Sequence, residues 1–213
     1  MTARSIVRQY ALYGTAYHPL PRSPDDAVTD TRYLFMAMPG EITLNAMQAV
    51  VEREGLDKLL DGALFPSPNW HQSLSDLYRQ DDTPGFEARL LRACARVHAQ
   101  RVPLLLNRIV GKGTHWAFRA KGRPKAFDDL LLAVRMALAT ESFVDTAGHT
   151  PHATISYWAP TTLPTLKISP PIPWTVDHVL LVKSVGSGRH YRYEQIGAAQ
   201  PLQQPSQLDL FEP

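Results

Sequence analysis

The sequence predicts an α+β fold in which two pseudo-symmetric lobes, each an antiparallel sheet with helices on its outer face, meet at a central cleft. Patterns typical of strands alternate with patterns typical of helices along the chain. Two short strand-like runs carry the same arrangement of a histidine and a hydroxyl residue. With 213 residues and 44% hydrophobic content, the chain can bury a sizeable core in one domain or two closely packed lobes.

The first half of the core is expected to begin with a strand at residues 33–38 and a helix at residues 41–54, where apolar side chains recur at helical spacing. The first strand-like run follows at residues 68–78. A second helix is expected from residue 83 or 84 to about residue 100. Cys94 lies in its apolar stripe, so it is predicted to be a core thiol rather than a nucleophile.

In the second half, strands at residues 104–110 and 115–120 are joined by a Gly-Lys-Gly-Thr segment with the composition of a hairpin turn. The clearest helix covers residues 124–140, with proline at its start, aspartates in its first turns and one apolar face. The second strand-like run follows at residues 150–158. Each run therefore lies in a lobe with helical cover.

The ends of the chain differ from this core. Residues 1–30 contain tyrosines followed by prolines and are predicted to form an arm with local extended structure. The tyrosines either stack on bases or pack the arm against the domain. We expect the two-lobed domain to cover residues 31–200. Residues 201–213 have the composition of a flexible linker.

Each strand-like run carries a histidine, one spacer and a hydroxyl residue, as His71-Gln72-Ser73 and as His152-Ala153-Thr154. Residues two apart on a strand face the same way. The side chains expected to line the cleft are His71, Ser73 and Ser75 from the first run and His152, Thr154, Ser156 and Trp158 from the second. His152 and Thr154 are expected to be accessible. Gln72 and Asp76 fall on the side of the first strand that should be buried, which favours a bulge or an edge position.

Such a pair of motifs suits displacement at phosphorus without a metal. One neutral imidazole accepts a proton from the attacking oxygen, an imidazolium donates one to the leaving oxygen, and the hydroxyls donate hydrogen bonds to phosphoryl oxygens. The candidate catalytic residues are His71, Ser73, His152 and Thr154, and the candidate substrate contacts are Ser75, Ser156 and Trp158. The alternative is that two strand histidines make ordinary structural hydrogen bonds.

With these motifs in this order, the sequence resembles the two-histidine phosphoesterases, in particular bacterial 2'-5' RNA ligase-like proteins or RNA 2',3'-cyclic phosphodiesterases. The resemblance covers residues 32–197 and includes a late strand pair near residues 179–184 and 191–193. It implies a metal-independent cyclic phosphodiesterase, without a cofactor, that acts on RNA 2',3'-cyclic phosphate ends or small cyclic nucleotides. The reverse reaction would give 2'-5' RNA ligation.

The sequence departs from that family at the residue that would hold the phosphate. Many relatives carry an arginine a few residues after a motif histidine, and this chain has Ser, Asp or Tyr there. The cation is therefore unassigned among Arg108, Lys112, Arg119 and Arg192. Of the other histidines, His149 could line the cleft, whereas His18, His98, His115, His178 and His190 are expected to be surface or structural residues.

Composition limits the partners. A net charge of +2 argues against a general duplex-binding protein but allows a local basic groove for a short or terminal phosphate. The single cysteine excludes an internal disulfide, and no residue cluster has metal-site spacing. The chain shows no signal-peptide pattern and no run long enough to span a bilayer. We therefore expect a cytoplasmic protein with no membrane partner.

The tail carries a separate motif, Gln-Leu-Asp-Leu-Phe at residues 207–211. It resembles the peptide by which bacterial replication and repair proteins bind the DNA polymerase sliding clamp. The residues that would bind are Gln207, Leu208, Leu210 and Phe211, although the same apolar residues could dock on the protein itself. Three functions remain: an RNA-end phosphodiesterase, a nucleotide-binding module without catalysis, and a clamp-associated DNA-repair accessory protein.

Overall fold

The computed structural model describes residues 31–80, 83–185 and 192–204. The N-terminal arm, and the motif at residues 207–211, lie outside the described residues. Within them the chain forms two antiparallel sheets and four α-helices, so the predicted α+β fold class is confirmed. No described helix is both long and apolar enough to span a membrane.

The strands are β1 (Arg32–Ala37), β2 (Gln72–Ser73), β3 (Tyr78–Arg79), β4 (Val102–Lys112), β5 (His115–Ala120), β6 (His152–Ser156), β7 (Leu163–Val176), β8 (Leu180–Val185) and β9 (Arg192–Ala198). The helices are α1 (Glu41–Arg53), α2 (Leu56–Leu60), α3 (Phe86–Ala95) and α4 (Lys125–Thr140). The first sheet has the order β2-β1-β8-β9, with β3 also paired to β1. The second sheet has the order β6-β5-β4-β7.

A single large apolar core joins one face of each sheet to the helices. In β1, Tyr33 and Phe35 belong to this core, whereas Leu34 and Met36 lie on the other face of the sheet with Val182 of β8. Helix α4 buries the stripe that its sequence predicts, because Phe127, Leu130, Leu131, Val134 and Leu138 are all buried. The helices therefore pack on the core face of the sheets.

Helix α3 is shorter than the sequence predicts. It begins after Gly85, whose φ of 72° is left-handed and so cannot continue a right-handed helix backwards. The predicted core position of Cys94 is confirmed, because 1% of this residue is exposed. Burial raises the pKa of its thiol to about 11. Cys94 is therefore a protonated core residue at neutral pH.

The longest strand, β7, was not predicted from the sequence. It carries Pro164, Pro170, Pro171 and Pro173, and proline weakens any strand prediction because it has no N–H to donate. The sheet order explains how these prolines are accommodated. Among the strands that the structure describes, β7 lies at the edge and pairs only with β4, so one of its sides needs no hydrogen-bond donors.

The first strand-like run is much less regular than predicted. Only Gln72 and Ser73 form β2, and the chain then bends before it returns to β1 as β3. At the bend, Ser75 Oγ accepts a hydrogen bond from the main-chain N–H of Phe35 at 3.1 Å. The run is thus an interrupted edge strand. An edge position was one of the two explanations for finding Gln72 and Asp76 on the side predicted to be buried.

Candidate active site

The two histidine motifs come together because each lies on an edge strand. Strand β2 ends the first sheet, β6 ends the second, and the two edges are adjacent. The main-chain N–H of His152 donates to Gln72 Oε1 at 2.6 Å. Two further hydrogen bonds connect the first run to the segment before β6. The N–H of Asp76 donates to Asp145 Oδ1 at 3.0 Å, and the N–H of Thr146 donates to Asp76 Oδ2 at 2.7 Å. Gln72 and Asp76, on the side of the first run that was predicted to be buried, therefore form hydrogen bonds between the two lobes.

The two motif histidines are held in the same way. His71 Nδ1 lies 2.7 Å from the carbonyl oxygen of Asn69, and His152 Nδ1 lies 2.6 Å from that of Thr150. Each acceptor is the carbonyl two residues earlier in the chain. A carbonyl oxygen can only accept, so in both rings Nδ1 carries a proton. In the neutral ring the lone pair is then on Nε2, on the opposite edge.

Both rings are more deeply buried than expected. His71 is 5% exposed and His152 is 3% exposed, and Thr154 is 2% exposed. The prediction that His152 and Thr154 are accessible is therefore wrong, because β6 is packed along one side by the edge of the other sheet. Burial lowers the pKa of His71 to about 4. It also lowers the pKa of His152 well below its ordinary value, with a further decrease from the positive charge of Arg119.

The two motif hydroxyls differ in their surroundings. Among the described residues, the hydroxyl of Ser73 has no hydrogen-bond partner, whereas Thr154 Oγ1 lies 2.9 Å from His115 Nε2. Sequence analysis assigned His115 a surface or structural role, and it is in fact next to the second motif. Its ring stacks on Tyr157 at 5.2 Å and meets the ring of His152 edge-on at 6.1 Å.

His115 is a neutral group at ordinary pH. Burial lowers its pKa to about 3, with a smaller effect from Arg119. Alternation along β5 puts His115, Ala117 and Arg119 on one face, and the pairing of Ala117 with Thr154 makes this the face of the second motif. The alternation is visible in the sequence. The pairing of β5 with β6 is not, and for this reason His115 was missed.

The three predicted substrate contacts are placed differently from the motif residues. Ser75 Oγ bonds to the main chain of Phe35 and Asp76, so its hydroxyl is part of the bend. Ser156 Oγ accepts from the N–H of Trp158 at 3.1 Å and ends β6. Because the strand stops there, Trp158 no longer follows the two-residue alternation. Its side chain is 41% exposed and contacts Phe65 edge-on.

His149, which could have lined the cleft, is completely buried at the junction of the lobes. Its Nε2 lies 2.9 Å from the carbonyl oxygen of Ser75, which is an interaction between lobes. Its Nδ1 is buried and has no hydrogen-bond partner among the described residues. Burial lowers the pKa of His149. We therefore regard His149 as part of the interface that holds the two motifs together.

The four candidate cations lie at different distances along the sheets from the second motif. Arg119 of β5 pairs directly with His152 of β6, so the two side chains share a face of the sheet. Arg108 is next to Arg119 on the same face. Lys112 lies at the hairpin end of β4, and Arg192 belongs to the other sheet. Arg119, which donates to Thr150 Oγ1 at 3.0 Å, is the cation at the second motif.

Comparison with solved structures identifies the fold. The apo crystal structure of LigT from E. coli matches with a TM-score of 0.69 and 15% identity, over 82% of this chain and 99% of LigT. This chain has the fold of LigT. At 15% identity this likeness shows the fold, and it agrees with the fold that the sequence resemblance implies.

Two further structures share this fold. A phosphoesterase matches with a TM-score of 0.65 and 16% identity, over 82% of this chain and 99% of the other. The protein TT0787 of Thermus thermophilus matches with a TM-score of 0.60 and 17% identity, over 82% and 100%. No protein-family profile and no curated protein sequence matches the chain. The likeness to LigT thus lies in the structure far more than in the sequence.

Proposed function

We propose that this protein is a metal-independent cyclic phosphodiesterase that opens RNA 2',3'-cyclic phosphate ends or small cyclic nucleotides to 2'-phosphates. The observation that carries the proposal is the matched pair of Nδ1 contacts at His71 and His152. They direct the proton-exchanging Nε2 atoms of both rings away from their anchoring carbonyls. Matched presentation of two imidazoles from opposing strands supports in-line displacement, where base and acid act on opposite sides of phosphorus.

The charge near each histidine distinguishes the general base from the general acid in the hydrolysis that we propose. Arg119 lies directly opposite His152 and disfavours a positive charge on it, whereas His71 precedes β2 in the other sheet. His152 is therefore the general base and His71 the general acid. His152 Nε2 takes a proton from water as the water oxygen bonds to phosphorus. The P–O3' bond breaks, and His71 Nε2 protonates the departing 3'-oxygen. In 2'-5' ligation the roles are exchanged.

The phosphate itself is held by the remaining motif groups. Thr154 and Ser73 donate hydrogen bonds to the two nonbridging oxygens, one from each lobe. Arg119 supplies the positive charge that relatives take from an arginine closer to a motif histidine. A bound phosphate next to His71 also raises the pKa of that ring, because an anion stabilises the imidazolium. Substrate binding thus prepares the general acid.

The likeness to LigT supports a nucleotide as the ligand. LigT has been crystallised with ATP, with 3'-AMP, with phosphate and with NADP+. All four ligands carry phosphate, and three of them carry a nucleoside. Among the described residues, no three His, Cys, Asp or Glu side chains come together as metal ligands. The matched Nδ1 contacts of His71 and His152 lead us to propose proton transfer by the two histidines as the mechanism.

The proposal is tested by hydrolysis of a 2',3'-cyclic nucleotide and of a short RNA with a 2',3'-cyclic phosphate end, with and without a chelator. His71→Ala and His152→Ala should each lower turnover by at least about 100-fold, and the double variant should lose little more because the two act as a unit. His98→Ala is the matched control, because His98 is exposed and belongs to neither motif. Wild-type binding of these substrates without turnover would favour a nucleotide-binding module instead.

A substrate with a better leaving group tests the assignment of roles. Protonation by the general acid matters less when the leaving oxygen is a p-nitrophenolate than when it is a ribose hydroxyl. His71→Ala should therefore lose much less activity on a p-nitrophenyl phosphodiester than on the cyclic phosphate. His152→Ala should lose similar factors on both. The opposite pattern would exchange the acid and the base.

A further inference from the structure

The strands of the second sheet carry basic residues and no acidic ones. The four strands β4, β5, β6 and β7 contain no Asp or Glu, although the chain has 20 acidic residues against 22 Lys and Arg. The same strands carry four cations, Arg108, Lys112, Arg119 and Lys167. The sheet is therefore strongly basic within a chain whose net charge is only +2.

Three of these cations form one continuous row. Lys167 of β7 pairs directly with Arg108 of β4, Arg108 pairs with Arg119 of β5, and Arg119 pairs with His152 of β6. Directly opposed residues of antiparallel strands share a face, so all four side chains lie on the face of the second motif. We call Lys167, Arg108 and Arg119 the basic row. Because neighbouring strands are about 4.8 Å apart, the basic row extends roughly 14 Å from His152.

The positive charges of the basic row are not neutralised by acidic side chains among the described residues. Within the part of the chain that the structure describes, no carboxylate forms an ion pair with any of its three members. Arg108 donates to Asn107 Oδ1 and to the carbonyl oxygen of Ala120, which are both neutral. Burial and the charge of Arg108 lower the pKa of Arg119. Two half-buried guanidinium groups side by side without a counterion favour an anionic ligand.

We propose that the basic row binds the phosphodiesters on the 5' side of the reacting phosphate, so that the preferred substrate is a single-stranded RNA end. This inference rests on the proposed function and extends it from the reacting group to the substrate class. Each strand of a DNA duplex carries one phosphate per about 3.4 Å of helix axis, so a row of roughly 14 Å is longer than the spacing of neighbouring phosphates. A mononucleotide has none on that side and reaches only Arg119.

The test compares a 2',3'-cyclic mononucleotide with a tetranucleotide that ends in a 2',3'-cyclic phosphate. The wild-type protein should show a higher kcat/KM for the tetranucleotide. Lys167→Ala should reduce the ratio of the two kcat/KM values by roughly threefold or more, and Lys167→Arg should restore it. Lys125→Ala removes an equal charge from helix α4, on the core side of the sheet, and should leave the ratio unchanged.

The salt dependence of tetranucleotide binding tests the proposal independently of turnover. Each phosphate neutralised on a single strand contributes about 0.7 to the slope of log Kd against log salt concentration. For a tetranucleotide ending in a 2'-phosphate, the slope should therefore fall by about 0.7 in Lys167→Ala. An unchanged slope, or equal wild-type kcat/KM for the two substrates, would overturn the basic row as a binding site. If neither substrate is hydrolysed, the proposed function fails, and the binding measurement still decides the inference.

Discussion

The side-chain oxygen of Gln72 accepts the main-chain N–H of His152 at 2.6 Å. The spacer residue of the first motif thereby holds the backbone of the second motif histidine. Gln72 is completely buried, and its Nε2 donates to the carbonyl oxygen of Ser73 at 2.7 Å. One amide group therefore fixes the position of both motifs relative to each other.

Replacement of Gln72 should impair both stability and turnover. In Gln72→Leu the buried N–H of His152 loses its acceptor, which should lower the free energy of unfolding by about 1–3 kcal/mol. Turnover should fall while KM changes little, because the spacing of the two imidazoles changes and the phosphate ligands remain. Urea denaturation and steady-state kinetics measure the two effects. Thr43→Val is the control, because Thr43 donates to the carbonyl oxygen of Pro173 outside both motifs and should affect stability alone.

Stability should decrease as the solution becomes acidic. Burial lowers the pKa of His71 to about 4 and of His115 to about 3, and it also lowers the pKa values of His149 and His152. The unfolded chain therefore binds protons that the folded chain does not. This contribution to stability is complete above about pH 6.5 and is lost as the pH falls towards about 4.

The expected slope is up to about 1.4 kcal/mol per pH unit for each buried histidine. Urea denaturation between pH 7.5 and pH 5 measures it. His149→Gln keeps a donor for the carbonyl oxygen of Ser75 and should flatten the slope by one such increment. A free energy of unfolding that is independent of pH over this range would contradict the burial of these rings.

Activity should have its optimum on the acid side of neutrality. In the free protein His71, the proposed general acid, has a pKa of about 4, so its protonated fraction falls up to about tenfold per pH unit above that value. We expect kcat/KM to increase from pH 8 towards pH 5. The kcat profile should lie at higher pH, because the bound phosphate raises the pKa of His71. A kcat/KM profile that peaks above pH 7 would be inconsistent with this arrangement.

His115 should act on catalysis through Thr154. If its Nε2–H donates to Thr154 Oγ1, the threonine proton is directed to the phosphate, so His115 is a positioning residue. His115→Ala should lower kcat by a smaller factor than Thr154→Ala. The double variant should match Thr154→Ala alone, with a coupling energy of about 0.5–3 kcal/mol. Partial recovery in His115→Gln, which keeps a donor, would support the hydrogen bond over a packing effect. Additive losses would exclude it.

The tail should bind the sliding clamp independently of the catalytic cleft. Leu210 and Phe211 are suited to an apolar pocket, and Gln207 adds a directional hydrogen bond. Because the peptide must be ordered on binding, we expect a Kd of about micromolar order. Purified clamp should bind the full chain but not a chain ending at Pro205, and hydrolysis should be equal in both. Equal clamp binding by both chains, or by neither, would assign the motif to self-docking.

The predictions from sequence succeeded where the pattern is local. Helix α4 was recognised because its proline, aspartates and apolar stripe lie within one segment, and β5 was placed at residues 115–120 as observed. Ser75 was predicted to share a strand face with His71 and Ser73, but the strand ends at Ser73, and the Ser75 hydroxyl accepts a hydrogen bond from the main-chain N–H of Phe35. Strand β7 was missed because its prolines are tolerated only at an edge, and sheet order is not a local property.

By itself, the sequence determined the chemistry that is available: two histidines, each two residues before a hydroxyl on a strand, with near-neutral charge and one cysteine. Only the tertiary structure decided which residues surround that chemistry. Side-chain alternation repeats every two residues and is read within one strand, whereas strand order and register depend on contacts between distant segments. These contacts bring Gln72 to His152, His115 to Thr154, and Lys167 and Arg108 into line with Arg119.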